Sequence, residues 1–130
     1  MIIEAILFWE ENKVVDFLNT GFSVKSIPSH DGNRALCLKL DGVLAGDNVY
    51  KLKQMVDPIF FSPHPPELKL SMDGVSYMDS MGVGIIVGII RKMREVGGKL
   101  EITGLNETGR ELIQILKLSH LSEIVTVSSD

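Results

Sequence analysis

The chain reads as an α/β domain: a mixed sheet of about four or five strands, with about three helices packed mainly on one face, preceded by a helical extension. Two kinds of periodicity predict it. Apolar residues recur every second position around 36–40 and every third or fourth position around 49–56 and 83–93. Strand-like and helix-like segments then alternate after an opening hairpin signal, which is the order of a sheet with crossover helices. Composition agrees. With 130 residues, 45% hydrophobic and 23% charged, the chain is one globular domain rather than a disordered segment. Residues 1–20 are expected as an extension and residues 21–130 as the domain.

In residues 1–20, Ile3, Ile6, Leu7, Val14 and Leu18 fall near helical spacing, with Glu4, Glu10, Glu11, Lys13 and Asp16 between them. An amphipathic helix ending before Gly21 is expected. It either packs on the domain or serves as the contact of a homodimer. Phe22–Pro28 and Arg34–Leu40 flank the turn sequence His30-Asp31-Gly32-Asn33, and Asp-Gly is a hairpin signal. In the second of these strands Leu36, Leu38 and Leu40 alternate with Ala35, Cys37 and Lys39, the pattern of a half-buried strand. A helix opens at Gly46 or Asp47, shows Val49, Leu52 and Val56 on one face, and is limited by Pro58. Phe61–Pro66, with three prolines, is a loop.

Glu67–Met72 is the third strand, leading through Asp73-Gly74 to Val75-Ser76-Tyr77-Met78. The next helix runs from about Met81 to Val96 with Val83, Ile86, Val87, Ile90 and Met93 on one face, and Gly97-Gly98 stops it. Lys99–Thr103 is a short strand. Asn106 caps a third helix carrying Leu112, Ile113 and Leu116, and Ile124–Val127 is a last strand.

Several function classes are disfavoured. A net charge of −4 without a lysine- or arginine-rich cluster lacks the basic footprint that direct nucleic-acid binding needs. No apolar run approaches the ~20 residues of a membrane-spanning helix. The opening MIIEAILFWEENK has no basic start and no small-residue cleavage site, so it does not read as a secretion signal. The single cysteine, Cys37, excludes an internal disulfide and fits a cytoplasmic setting. His30, His64 and His120 lie in separate segments without metal-ligand spacing. Gly82, Gly84 and Gly88 do not have the spacing of a nucleotide-binding glycine loop, and no Walker lysine follows. No cofactor is expected, and the partner is a protein.

The segment with chemical content is Asp73–Gly84, where a strand ends, a short polar turn follows and a helix begins. The first N–H groups of that helix have no partner within it, and with the macrodipole they favour negative charge by ~0.3–1 kcal/mol at an exposed site. Asp79 and Ser80 are both candidates for the cap. A phosphate on Ser80 would add roughly −1.5 to −2 charge units where a helix tolerates them. Val-Ser-Tyr-Met-Asp-Ser-x-Gly-Val-Gly, residues 75–84, resembles the signature of STAS-domain anti-sigma-factor antagonists. Ala35–Gly42, Gly97-Gly98-Lys99-Leu100 and Leu116–Leu121 resemble the flanking strand, turn and closing helix of that family.

The resemblance implies a STAS-like fold and a non-enzymatic switch. The unphosphorylated protein would bind an anti-sigma factor of histidine-kinase-like fold. Phosphorylation of the serine by that kinase would end the binding, and a serine phosphatase would restore it. Carried over, Ser80 is the acceptor, and Asp79 and Gly82 shape its loop and helix start; from the helix pattern itself, Met81, Gly84, Ile85 and Ile89 are expected to adjoin it on a partner face. This chain departs from the family pattern in three places: Met81 stands where a small residue is usual, Val43-Leu44-Ala45-Gly46 carries no acid although Asp47 is close, and residues 1–20 have no counterpart in the minimal family domain. The first two favour a rival reading, a scaffold STAS module of a signalling or transport assembly in which Ser80 is never modified. Gly84 and Gly88, each costing its helix ~1 kcal/mol relative to alanine, mark either close packing against a neighbour or a docking surface.

Overall fold

The computed structural model describes residues 14–17, 21–28, 36–60, 67–104, 114–115, 117 and 125–128. Among them are the strands β1 (Val14–Phe17), β2 (Phe22–Pro28), β3 (Leu36–Leu44), β4 (Glu67–Met78), β5 (Lys99–Thr103) and β6 (Val125–Ser128). Two helices, α1 (Asp47–Val56) and α2 (Ser80–Glu95), and a 3-10 turn at Asp57–Phe60 complete the order. The six strands form one sheet in sequence order. β1, β2 and β3 pair antiparallel, while β3, β4, β5 and β6 run parallel. The expected mixed α/β sheet is thus present, with one strand more than expected.

The additional strand is a correction. Val14–Phe17 pairs with Lys25–Phe22 instead of continuing a helix. Val14 and Leu18 are four apart, as in a helix, but Val14-Val15-Asp16-Phe17 is rich in β-branched and aromatic residues, and the edge of β2 supplies a ladder. Residues 1–13, the His30–Asn33 turn, the Phe61–Pro66 loop and the Asn106 cap lie outside the described residues. Of the third helix, Gln114, Ile115 and Lys117 are helical.

Alternation decides which sheet face is covered. Leu36, Leu38 and Leu40 are buried while Cys37, Lys39 and Asp41 are half-buried. Phe22, Val24 and Ser26 repeat the pattern on β2. Burial on one face pushes the Cys37 thiol above the ordinary range of a cysteine. The crossovers β3–α1–β4 and β4–α2–β5 step across the sheet in the same direction and share one hand, so both helices cover the same face. Against it they bury Leu52 and Val56 from α1, and Val83, Ile86, Ile90 and Met93 from α2.

The long central strand is not regular. From Lys39↔Ser71 to Asp41↔Gly74, and again from Gly42↔Val75 to Val43↔Tyr77, β4 gains one residue on β3. Each extra residue bends the strand and re-aims the side chains beyond it. The alternation of Leu68 and Leu70 gives way to the neighbouring buried pair Ser71 and Met72, and the strand ends with Met78 inward. The chain therefore leaves the sheet at Asp79 close to the end of β3, at Leu44.

Ile86 is fully buried at the helix–sheet contact. Ile86→Ala should lower unfolding free energy by ~2–5 kcal/mol with unchanged secondary structure. Denaturant titration followed by circular dichroism measures it, and a loss below ~1 kcal/mol would contradict the packing described.

Candidate functional site

The carboxyl ends of β3 and β4 are adjacent, and a helix starts from each. Open α/β sheets characteristically place their functional surface at this edge. The two helix starts are joined by one side chain. Asp79, extended at φ −93°, caps α2 by accepting from the Gly82 N–H through Oδ1 at 2.8 Å. Its Oδ2 accepts from the Gly46 N–H at 3.1 Å, across 33 residues of sequence.

Gly46 is itself the cap residue of α1, at φ 57° and ψ −133°, and no side chain caps that helix. Its backbone conformation is disfavoured for any residue with a Cβ. Asn48 adds a second tie, donating from Nδ2 to the Val43 carbonyl at 2.9 Å. Gly82 completes the junction. It is buried, and a Cβ there would run into the Leu44 carbonyl oxygen and Met78 Cγ. The first turn of α2 thus rests directly on the end of β3.

The cap of α2 is Asp79 and not Ser80. Ser80 is the first helical residue and is exposed. Beside it, Met81 is 57% exposed. Asp47, the first residue of α1, is exposed next to Gly46, whereas residues 43–46 carry no carboxylate. Tyr77 and Tyr50, 56% and 63% exposed, flank the same junction from β4 and from the first turn of α1. With Met81 they are the large apolar side chains most open to solvent among the described residues. Tyr77 alternates with the inward Met78 on β4, and Tyr50 stands outside the Val49, Leu52 and Val56 stripe of α1.

The remaining residues expected on the partner face fall into two groups. Gly84 is exposed on the side of α2 that carries Ser80, and Ile85, further round the helix, is half-buried. Ile89 is buried, at 3% exposure, because the covered face of α2 is wider than the stripe of Val83, Ile86, Val87 and Ile90. Gly82 and Asp79 shape the helix start.

Two substitutions test this geometry by denaturant titration. Gly82→Ala should destabilise by ~1–3 kcal/mol through overpacking, although alanine is the better helix former. Asp79→Ala should cost ~1–3 kcal/mol, with Asp79→Asn between it and the parent because an amide can accept only through its one oxygen. Stability unchanged by Asp79→Ala would contradict the bridge.

Residues 25–130 match the profile of the STAS domain. The anti-sigma-B factor antagonist of Bacillus subtilis is 33% identical over 63 residues, 48% of this chain and 55% of that protein. The anti-sigma F factor antagonist of Lysinibacillus sphaericus is 26% identical over 77 residues, 59% of this chain and 66% of that protein. The chain spans about half the length of the anti-sigma-B relatives it matches. Among solved structures, the Bacillus cell fate determinant SpoIIAA in its phosphorylated form has a TM-score of 0.61 at 20% identity, covering 78% of this chain and 89% of its own. A sulfate transporter family protein from Wolinella succinogenes has a TM-score of 0.54 at 17% identity, covering 73% and 76%. These structures share the fold. With a profile match running from β2 to the end of the sequence and the same sheet and helix arrangement, the chain belongs to the STAS-domain family.

Proposed function

We propose that this protein is an anti-sigma-factor antagonist whose partner binding is switched by phosphorylation of Ser80. In this reading the unphosphorylated protein binds an anti-sigma factor with a kinase-like fold, so that the sigma factor is set free. That partner phosphorylates Ser80 and dissociates, and a serine phosphatase resets the protein. This chain supplies the surface and the acceptor hydroxyl; the phosphoryl-transfer groups belong to the partner. The setting is the cytoplasm, and among the described residues no helix is long and apolar enough to cross a membrane.

The observation that carries the reading is the division of labour between Asp79 and Ser80. Asp79 caps the helix and holds the α1 start, while Ser80 stays exposed one residue later. A hydroxyl serving as the cap could not be modified without loss of its hydrogen bond, and here that task falls to its neighbour. The phosphate would lie at the N-terminus of a 16-residue helix, where the macrodipole favours negative charge. Exposed Tyr50, Tyr77 and Met81 around it are residues of the kind that anchor interfaces. Similarity to anti-sigma-B and anti-sigma F factor antagonists supports the same role.

A scaffold role within a larger assembly is the second reading. Exposed Met81 beside the acceptor and the likeness to a sulfate transporter family protein favour it. Incubation with ATP and a kinase-like anti-sigma factor that binds the chain separates the two. One added phosphate, located at Ser80 by tandem mass spectrometry and absent from Ser80→Ala, is the expected result. Binding without phosphorylation, or modification at another residue, would favour the scaffold.

A further inference from the structure

Outside the Ser80 junction, the feature with no role in the fold is a groove between α1 and α2. Its volume is about 270 Å3, and Val49, Val56, Ile85 and Ile89 line it. Gly84 and Gly88 form part of its α2 side, and a Cβ at either would meet no atom of the described residues within 4 Å. Close packing among those residues therefore requires neither glycine, although each costs the helix ~1 kcal/mol relative to alanine. At the groove Lys53 is paired with Asp57 at 2.8 Å. The Lys92 ammonium stands 6.0 Å from the centre of the Phe60 ring and has no carboxylate partner among the described residues. The groove is thus apolar, widened by missing side chains, and carries one uncompensated positive charge.

We propose that residues 1–13 of this same chain occupy that groove. Three observations select this occupant. First, the segment holds Ile2, Ile3, Ile6, Leu7, Phe8 and Trp9, a composition that a solvated arm does not have. Ile3, Ile6 and Leu7 are spaced to form one helical face, which fits against the two glycines. Second, Glu4, Glu10 and Glu11 supply negative charge for Lys92.

Third, the tether reaches. The segment leads into β1, next to β2 at the sheet edge, while α1 lies over β3 and α2 over β4 and β5. Crossing two or three strand spacings and the width of α1 takes ~25 Å; residues 8–13 extended span ~20 Å and a helix over residues 1–7 adds ~10 Å. A tether this short keeps the segment at an effective concentration on the order of millimolar, which favours it over a second copy. Ser80, Gly84 and Gly88 are spaced four apart on one side of α2. A seated segment therefore runs beside the stripe that ends at Ser80 and competes with any partner that covers it.

Trp9 is the only tryptophan, so its fluorescence reports the seating directly in the full chain. The parent should emit to the blue of the urea-unfolded chain, by the same amount at low and high micromolar protein. Gly88→Leu fills the groove and should remove most of the blue shift with helical circular dichroism retained. Lys92→Glu, at an exposed position, should remove part of it. Emission of the folded parent at the unfolded position would overturn the proposal. So would a blue shift that neither variant changes, and one that disappears on dilution would assign the groove to a second copy instead.

Discussion

The Asp79 carboxylate is the interaction on which the functional end of this molecule depends. Its two oxygens take the Gly82 N–H at the start of α2 and the Gly46 N–H at the start of α1. Both donors belong to helix starts, where backbone N–H groups lack partners within the helix. One charged acceptor satisfies both and fixes the two helices relative to each other. The consequence extends to the groove further down, because the separation of α1 and α2 is set at this end. It extends also to Ser80, which is released from capping and left on the surface.

Close approach makes the bridge possible. The carboxylate reaches Gly46 only because α2 begins directly on the end of β3, and that contact has no room for a Cβ at residue 82. The β4 irregularities bring the strand end to the right place. A strand in strict alternation from Leu68 would reach Met78 facing inward as well, but without the two extra residues it would end two residues further along β3, beyond Leu44.

Most of the fold is legible in the sequence because it is local. Leu36, Leu38 and Leu40 state the covered face of β3, and Val83, Ile86, Val87 and Ile90 state that of α2, without reference to other segments. Phe22–Pro28 and Lys99–Thr103 have the bounds expected of them. Where the reading differs, a distant partner decides. Val14–Phe17 is strand because β2 offers an edge. Ile89 is core because a second helix lies beside α2. At the site, the motif around Asp79 and Ser80 is visible as a strand–turn–helix junction with two candidate caps. The cap bond from the Gly82 N–H is local, whereas the Gly46 bond that ties Asp79 to α1 spans 33 residues and leaves no local trace.

The proposed switch would separate fold from surface. Ser80 makes neither the cap nor the bridge, so charge added there would act on what docks at that surface. At an interface the same charge must be desolvated, a cost of several kcal/mol without an arranged counter-charge. The most direct measurement is a calorimetric titration of the parent and Ser80→Asp against an anti-sigma factor that binds the parent, with a thermal melt of each protein. The account predicts affinity reduced about a hundredfold or more, each ~1.4 kcal/mol being a factor of ten, and an unchanged or slightly raised melting temperature. Equal affinities, or a melting temperature that falls sharply in Ser80→Asp, would contradict it.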